Sequence, residues 1–359
     1  MTQRVAFITG VTGQDGGELA RLLLVKGYAV HGLARAPQRF DWARLDGVSH
    51  ARARLVLHAG DMRDTRSLTA ALGAAQPDEI YNLAAQSNVG LSFERPEETH
   101  EVNAAGVHRL LRAVRLLGLG QKARIYQAAS SEMFGTTRGA PCSEETPFNP
   151  LSPYARSKVE AFDAVTRYRA AFGGYACNGI LFNHEGPHRW KGFVSRKISI
   201  AVAAKHLGIE APLYLGNLNA RRDFGHVRDY VTGIWAMLQA REPEDFVLAT
   251  GEAHSVRDFV EACYAAVGRD VIWEGDGTDE TGRDAATGEF LAGVNPRFYR
   301  PADPAVAVGD ASKAQMQLGW RPRVTFHQLA HEMVIADVER LRILAALGEE
   351  APLLAAVVE

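Results

Sequence analysis

A glycine-rich turn close to the N-terminus constrains the fold of this chain more than any other segment. Residues 9–16 read TGVTGQDG, which places Gly10, Gly13 and Gly16 at regular intervals of three. The turn follows an apolar run at 5–8, typical of a buried strand, and precedes a helical pattern at 17–26. Between a strand and a helix, such glycines let the backbone approach a pyrophosphate, which then lies at the helix N-terminus. The turn therefore predicts a dinucleotide-binding domain.

The first half of the chain alternates apolar runs, rich in β-branched residues, with helical patterns. This alternation is typical of βαβ units and a parallel sheet. Strands are predicted at 5–8, 28–33, 55–58, 79–83, 124–129 and 177–182, and helices at 17–26, 68–75, 102–117 and 153–172. The pattern therefore predicts an α/β fold, a Rossmann-type doubly wound parallel sheet.

After residue 183 the alternation becomes irregular. Helices are predicted at 194–207 and 255–267, strands at 213–215, 246–249 and 271–273, a return to the sheet at 223–239, and a surface loop or hairpin at 274–293. A smaller α/β substrate-binding domain is therefore expected to be interleaved with the Rossmann domain. The expected division gives 1–182, with a return segment at about 220–250, to the NADP-binding Rossmann domain, 183–219 and 251–335 to the substrate-binding domain, and 336–359 to a C-terminal helical tail.

The composition is that of an ordinary globular protein and argues against several functional classes. The formal net charge is −2 with 23% charged residues, which does not suit bulk binding to nucleic acid or to a membrane surface. No apolar run is long enough to span a bilayer, and the chain begins directly before a strand, without room for a signal peptide. The three cysteines, Cys142, Cys177 and Cys263, lack metal-like or paired spacing. We therefore expect a cytoplasmic protein without a metal site.

The end of the second predicted strand indicates which dinucleotide is bound. An acidic residue there would accept the ribose 2′-hydroxyl of NAD. This chain instead has Arg35, with Arg39 close behind, and arginine favours the 2′-phosphate of NADP; the alternative is that Arg35 is a solvated loop charge. NADP is therefore the predicted cofactor. The residues expected to bind it lie in the turn and after the second, third and fourth strands: Gly10, Thr12, Gly13, Gln14, Asp15, Gly16, Arg35, Asp61, Met62, Leu83, Ala84, Ala85 and Ser87.

Two segments carry residues suited to catalysis, one with Ser130 and Glu132 and the other with Tyr154 and Lys158. Tyr154 and Lys158 are four residues apart on a predicted helix and lie within reach of each other. The lysine favours the phenolate, so the pKa of Tyr154 is expected to fall from about 10 toward neutrality. The carboxylate of Glu132 suggests a second proton transfer, as in a dehydration carried out inside a redox site. The alternatives are a helix-surface pair for the tyrosine and lysine and a helix cap for Glu132.

Longer motifs resemble one family of the extended short-chain dehydrogenase/reductase superfamily. The motifs are YQA at 126–128, YACNGILFNHE at 175–185, LGNL at 215–218, RD at 222–223 and NPRFYRP at 295–301. Together with the glycine turn and the Tyr-x-x-x-Lys pattern, they resemble the GDP-mannose 4,6-dehydratases from residue 4 to residue 335, essentially the whole catalytic body.

The resemblance implies an internal redox cycle on a GDP-sugar, with GDP-D-mannose as the default substrate. Tyr154 would remove the proton of the 4-hydroxyl while hydride passes from C4 to NADP⁺, and Ser130 would hydrogen-bond the C4 oxygen. Glu132 would take the C5 proton and protonate the leaving C6 hydroxyl. Hydride would then return to C6, giving a 4-keto-6-deoxy sugar. The resemblance also implies a homodimer or homotetramer.

The resemblance further implies which residues contact the two ligands. The cofactor would also contact Tyr154, Lys158, His184 and Arg189, with His184 a structural residue rather than a base. The residues that would contact the substrate are Ser87, Glu132, Asn183, Glu185, Val194, Lys197, Leu215, Gly216, Arg222, Arg300 and Asp303.

Three departures from the usual family pattern leave the sugar open, and a fourth leaves the assembly open. Residues 129–131 read Ala-Ser-Ser where Ser-Thr-Ser is common, Asn88 replaces a histidine, and residues 185–190 replace a Ser-Pro-Arg-Arg-Gly type of segment near the expected hexose pocket. Another GDP-sugar, such as a GDP-manno-heptose, is therefore an alternative substrate. Residues 36–39 replace a loop that in the family reaches a neighbouring subunit's cofactor, which leaves the tetramer open. The remaining alternatives are a GDP-sugar reductase or epimerase and an NADP-binding scaffold that has lost its chemistry.

Overall fold

A seven-stranded parallel sheet forms the centre of the protein in the computed structural model, which describes residues 3–45, 47–137, 140–298 and 306–358. Its strands are β1 (Val5–Thr9), β2 (Ala29–Ala34), β3 (Leu55–Ala59), β4 (Glu79–Asn82), β5 (Arg124–Ala128), β6 (Ala176–Leu181) and β11 (Phe246–Leu248). They are ordered β11-β6-β5-β4-β1-β2-β3, and all neighbouring pairs are parallel. Ala6, Phe7 and Ile8 of β1 are fully buried, as expected for a parallel strand covered on both faces.

Helices cover both faces of this sheet. They are α1 (Gln14–Val25), α2 (Thr65–Ala75), α3 (Val89–Glu94), α4 (Pro96–Asn103), α5 (Ala105–Leu116), α6 (Pro153–Phe172), α8 (Val227–Met237) and α10 (Ser312–Leu318). One apolar core joins α1 and α8 to one face and buries Leu19 and Ile234. A second core joins α2, α5 and α6 to the other face and buries Leu72 and Leu110. The predicted doubly wound α/β fold is therefore confirmed.

A smaller α/β unit is built from segments that lie between and after the strands of the central sheet. Its own sheet has the order β13 (Val271–Glu274), β14 (Thr281–Asp284), β15 (Phe290–Val294), β8 (Tyr214–Leu215). Its helices are α7 (Val194–His206), α9 (Val256–Ala265), α11 (Phe326–Leu347) and α12 (Ala351–Val358), which enclose a separate core around Ile198, Phe259 and Met333. The chain returns to the central sheet through α8 and β11 in between, so the predicted interleaving is confirmed.

Short strands connect the two units beside the carboxyl ends of the central strands. β7 (Asn183–Glu185) pairs in parallel with β10 (Phe224–His226). β9 (Arg221–Arg222) lies between β12 (His254–Ser255) and β16 (Val306–Ala307). These ladders fix the backbones of Asn183, Glu185 and Arg222 next to the sheet edge where ligands bind in α/β folds.

The helix predicted at 102–117 corresponds to α5, which begins at Ala105, and the helix α4 before it was not predicted. The two helices are separated by a break at Ala104. The residue before the break, Asn103, makes a tertiary contact. Its Oδ1 accepts a hydrogen bond from the Gln86 backbone N at 2.8 Å. The Nδ2 of Asn103 donates to Ser157 Oγ at 3.1 Å. Asn103 thus ties the loop after β4 to α6, and hydrophobic periodicity carries no trace of that contact.

Residues 274–293, for which a surface loop or a hairpin is predicted, form the hairpin β14–β15. β15 is largely buried because it pairs with β14 on one side and with β8 on the other. Near the C-terminus, the expected division at 335/336 falls within α11, which runs continuously from Phe326 to Leu347. The residue limits of the two units stay a prediction.

None of the helices in the described part of the chain combines the length and the apolar character needed to cross a bilayer. Within the same ranges, no three His, Cys, Asp or Glu side chains are grouped so that they could hold a metal ion. Cys142, Cys177 and Cys263 are buried thiols.

Candidate active site

The glycine turn has a backbone that only glycine permits at two positions. Gly10 has a φ of +71°, and a Cβ there would lie 2.9 Å from the Ala84 backbone. A Cβ on Gly16 would lie 2.3 Å from the carbonyl oxygen of Gly10. No side chain of the described residues caps α1 at Gly13, so the first backbone N–H groups of α1 face the turn. Such a turn fits a dinucleotide pyrophosphate.

A cleft of about 520 Å³ runs from the glycine turn along the carboxyl ends of β2, β3 and β4, and we call it the nucleotide cleft. Every residue predicted to bind the cofactor from the turn and these strand ends lines it: Gly10, Thr12, Gly13, Gln14, Asp15, Gly16, Arg35, Asp61, Met62, Leu83, Ala84, Ala85 and Ser87. The carboxylate of Asp61 is held by Arg63 at 2.8 Å, and this hydrogen bond keeps the pKa of Asp61 below its usual value. Arg35 is exposed at the cleft margin.

A second cleft of about 530 Å³ adjoins the first, and we call it the catalytic cleft. Asp15, Leu83, Ala85, Ser87 and Arg189 line both clefts. The structure brings the predicted catalytic and substrate residues together along the catalytic cleft: Ser87, Ser130, Glu132, Tyr154, Lys158, Asn183, Glu185, Val194, Lys197, Leu215, Gly216 and Arg222. His184, predicted to contact the cofactor, lines the same cleft. Arg300 and Asp303, also predicted to bind substrate, lie outside the described residues.

The start of α6 presents Tyr154 and Lys158 to this cleft. Ser152 caps the helix by accepting a hydrogen bond from the Ala155 backbone N at 3.0 Å, and Pro153 occupies the first turn. Tyr154 is 8% exposed and Lys158 is 4% exposed. The Nζ of Lys158 donates to the Ala128 carbonyl at the end of β5 at 2.9 Å and lies 5.7 Å from the centre of the Tyr154 ring.

Ser130 and Glu132 approach Tyr154 from the segment after β5. Ser130 caps a single 3₁₀ turn, Ser131–Phe134, and its Oγ accepts a hydrogen bond from the Glu132 backbone N at 3.3 Å. Ser130 also hydrogen-bonds Tyr154, which favours the phenolate. A hydroxyl, a phenol, an ammonium and a carboxylate therefore converge on one cleft, a set able to move two different protons.

The charges around Tyr154 oppose its ionisation. Burial, the largest effect, together with the negative charges of Glu132 and Asp15, raises the pKa of Tyr154 to about 12, although Ser130 lowers it. This direction is opposite to the one that the sequence predicts. The reason is the burial of the phenol, and Lys158 does not offset it, since its ammonium is directed to Ala128 and burial lowers the pKa of Lys158 itself to about 8.

An ion pair links the glycine turn to β7. His184 Nε2 lies 2.9 Å from Asp15 Oδ2, and His184 Nδ1 lies 2.7 Å from the Phe182 carbonyl oxygen. Both partners can only accept, so both ring nitrogens must carry protons and the imidazole is cationic. Burial opposes the charge, but Asp15 outweighs it and raises the pKa of His184. Burial likewise opposes ionisation of Asp15, and His184 holds the pKa of that carboxyl well below its usual range.

Replacing His184 with Gln is expected to lower the free energy of unfolding by about 3 kcal/mol at pH 6, because Asp15 then stays largely buried without its cation. The folded pKa of His184 is raised. The contribution of the pair is therefore complete below the unfolded pKa of about 6.5 and is lost as the pH rises through the folded value. In denaturant unfolding, the difference in the free energy of unfolding between variant and wild type should shrink as the pH rises from about 6 to about 9. The exposed His206, replaced with Gln, is the control, and a difference that grows with pH would contradict the assignment.

Part of the lining of the catalytic cleft is aromatic, and sequence reasoning missed this. Trp190, Phe193, Tyr214 and Phe298 line it without having been predicted as site residues. The Nζ of Lys197 lies 4.0 Å from the Phe298 ring centre, and burial, with the charge of Arg297, lowers the pKa of Lys197 to about 8. The available signal was the interleaving of aromatic and basic residues at 189–197.

Relatives of this chain match nearly its whole length. The profile of the family described as GDP-mannose 4,6 dehydratase matches residues 7–333. The GDP-mannose 4,6-dehydratase of Sinorhizobium fredii is 50% identical, covering 95% of this chain and 99% of its own. The GDP-mannose 4,6 dehydratase of Homo sapiens is 46% identical, covering 95% of this chain and 93% of its own.

Solved structures with the same fold include other enzymes of sugar nucleotides. A dTDP-glucose 4,6-dehydratase from Streptomyces venezuelae with NAD and TYD bound has a TM-score of 0.77 and 24% identity, covering 94% of this chain and 98% of its own. RMD from Pseudomonas aeruginosa, complexed with NADPH, has a TM-score of 0.75 and 21% identity, covering 94% of this chain and 100% of its own. At these identities the likeness concerns the fold alone.

Proposed function

The chain belongs to the GDP-mannose 4,6-dehydratase family, and from that premise we propose that it removes water from GDP-D-mannose to give GDP-4-keto-6-deoxy-D-mannose. The observation that carries this proposal is the convergence of Glu132 with Tyr154, Lys158 and Ser130 along one cleft. A reductase or an epimerase of the same fold has no step that requires a carboxylate at that position. The enzyme is therefore a sugar-nucleotide dehydratase with a nicotinamide cofactor that is recycled within the site.

The oxidation step is assigned to the buried face of α6. A nicotinamide cofactor, when bound, would supply the hydride acceptor for C4 and the hydride donor for C6, so the cycle needs no external oxidant. Tyr154 accepts the proton of the 4-hydroxyl, and Ser130 hydrogen-bonds the same oxygen. Because the pKa of Tyr154 is raised to about 12, ionisation of the phenol needs added positive charge beside it. Lys158 and Arg189, the second of which lowers the pKa of Tyr154, line the same cleft, and an oxidised nicotinamide would add a further positive charge when bound.

The elimination step is assigned to Glu132. The 4-keto group acidifies the C5 proton, which Glu132 takes, and Glu132 then gives a proton to the C6 hydroxyl, which leaves as water. Hydride returns to C6, and Tyr154 delivers the former O4 proton to C5. Protons and electrons then balance, and the only change from substrate to product is the loss of one water.

The remaining lining residues suit a nucleoside diphosphate. Arg222 is 9% exposed and offers a planar guanidinium that matches phosphate oxygens. Lys197 and the Phe298 ring, 4.0 Å apart, together form a flat cationic surface suited to a nucleotide base. We assign Asn183, Glu185, Arg222 and Lys197 to substrate binding, and we propose a homodimer or homotetramer as the working assembly.

NADP, rather than NAD, is the proposed cofactor, and Arg35 is the residue that selects it. Replacing Arg35 with Ala should weaken NADPH binding about tenfold or more, because a charge-assisted hydrogen bond to the 2′-phosphate is lost. The dissociation constant for NADH should change by less than about twofold. Titration of both cofactors by fluorescence measures the ratio of the two dissociation constants, with the exposed Arg167 on α6 replaced with Ala as the control. Equal weakening of NADPH and NADH binding would show that Arg35 does not recognise the 2′-phosphate.

The proposed reaction is tested by mass spectrometry of the product. GDP-mannose incubated with the enzyme and a catalytic amount of NADP⁺ should lose the mass of one water, with no net change in cofactor absorbance. Net consumption of NADPH without loss of water would indicate a reductase, and inversion without a mass change would indicate an epimerase. No turnover of GDP-mannose, but turnover of a GDP-manno-heptose, would move the substrate to the alternative sugar.

A further inference from the structure

One exposed tryptophan stands where the two clefts meet. Trp190 lines both the nucleotide cleft and the catalytic cleft, and 56% of it is exposed. The other four tryptophans are buried or partly buried. Single exposed apolar side chains are common on protein surfaces, so the exposure of Trp190 is informative only because its ring lines both clefts.

The loop around Trp190 is anchored on both sides of the tryptophan. Phe193 N donates to the Trp190 carbonyl at 3.1 Å, and Lys191 Nζ donates to the Pro352 carbonyl at 2.7 Å. The guanidinium of Arg189 lies 3.7 Å from the centre of the Phe193 ring, and the Nε of Arg189 lies 3.0 Å from Glu185 Oε2. The backbone is thus tied to α12 and to β7.

The indole lies against the backbone of Gly192, which provides its support. A Cβ on Gly192 would lie 2.0 Å from the Trp190 ring, so only glycine allows the ring to occupy this place. The edge of the Phe193 ring packs on the indole, with ring centres 6.0 Å apart at 84°. One face is therefore held by protein, while the rest of the ring is turned to the junction of the clefts. Ser87 and Asn88 line both clefts as well.

We propose that Trp190 is a ligand-binding residue whose indole contacts both the nicotinamide cofactor and the sugar nucleotide, so that each ligand strengthens the binding of the other. Either ligand buries part of the exposed indole and restricts its remaining motion, so the second ligand loses less entropy when it contacts the ring. This coupling is reciprocal, as linkage requires. Only one part of the inference rests on the proposed function, namely that the second ligand is a sugar nucleotide.

The first test uses NADPH alone, so it does not depend on dehydratase activity. Excitation of tryptophan should give sensitised emission from bound NADPH, and replacing Trp190 with Phe should remove most of it. Trp273, on the distant β13 and hydrogen-bonded to Glu261 at 2.8 Å, is replaced with Phe as the control and should leave the emission unchanged. Retention of the sensitised emission in the Trp190 variant would overturn the contact with the cofactor.

The second test measures the coupling itself in the dead-end complex of NADPH and GDP-mannose. In the wild type, saturating NADPH should tighten GDP-mannose binding by about tenfold, the effect expected from burying part of an indole. Replacing Trp190 with Ala should remove the coupling. Replacing Gly192 with Ala should do the same while leaving the indole present, because its Cβ displaces the ring. Coupling that persists in both folded variants would overturn the proposal even if the enzyme proves to be a dehydratase. A chain that couples the ligands but releases no water would instead overturn the proposed function alone.

Discussion

Replacing Tyr154 with Phe is expected to lower kcat for the dehydration of GDP-mannose by about a thousandfold, within the range measured for loss of a general base. The phenol is the group that Ser130 hydrogen-bonds, and it is buried one helical turn before Lys158. Phenylalanine fills the same space but cannot accept the O4 proton. The oxidation at C4 should therefore fail, and no reduced cofactor should form when substrate is mixed with the NADP⁺-loaded enzyme. Stopped-flow absorbance of the nicotinamide measures this directly.

A matched control lies on the same helix. Tyr168 is 4% exposed, and its hydroxyl has no hydrogen-bond partner among the described residues. Replacing Tyr168 with Phe should leave kcat within about twofold of wild type, as for a buried change that removes no interaction. Binding of NADPH should be similar in both variants. If the Tyr154 variant keeps about a tenth or more of the wild-type kcat, Tyr154 is not the base.

The fold was largely predictable because its signals are local. Residues 5–8 and 9–16 are a complete strand–turn–helix signal, and Gly16 cannot be exchanged where a Cβ would meet Gly10 at 2.3 Å. The parallel strands are buried on both faces, so their apolar runs stand out from the helices between them. The break at Ala104 was not predictable, because it depends on the bond from Asn103 to Gln86, a contact between distant segments.

The residues that form the site could be predicted from the sequence, but the direction in which the pKa of Tyr154 shifts could not. Strand ends in a parallel sheet meet at one edge, so Asp61, Leu83 and Ser130 could be placed together from sequence. The pKa of Tyr154 depends instead first on burial and then on Ser130, Glu132, Arg189 and Asp15, which come from other segments of the chain. A pattern that considers only Tyr154 and Lys158 therefore gives the wrong sign. Trp190 was missed for a related reason, since no periodicity marks a loop residue that faces two clefts.

Replacing Glu132 with Gln is expected to separate the two halves of the reaction. Glutamine keeps the size and polarity of the side chain but cannot take the C5 proton. Oxidation at C4 should survive, because the charge of Glu132 raises the pKa of Tyr154 and its removal makes that phenol easier to ionise. Elimination should slow by about a thousandfold, within the range for loss of a general acid–base group. The variant should therefore accumulate reduced cofactor in a burst close to the enzyme concentration.

Three readouts make this prediction specific to Glu132. The burst at the nicotinamide absorbance reports the first half-reaction, loss of water from the sugar reports the second, and uptake of solvent deuterium at C5 reports the proton transfer between them. Deuterium uptake should fall with the elimination rate. The exposed Glu145, on the loop that follows the same strand, is replaced with Gln as the control and should behave as wild type.

The Tyr154 and Glu132 substitutions are expected to give complementary outcomes, so together they separate the two half-reactions. The Tyr154 variant should show neither burst nor water loss, whereas the Glu132 variant should show the burst without water loss. If the Glu132 variant shows no burst, its carboxylate acts before C4 is oxidised, and the roles assigned to the two residues are wrong. If it eliminates water at the wild-type rate, another group takes the C5 proton, and the feature that separates a dehydratase from a reductase lies elsewhere in the catalytic cleft.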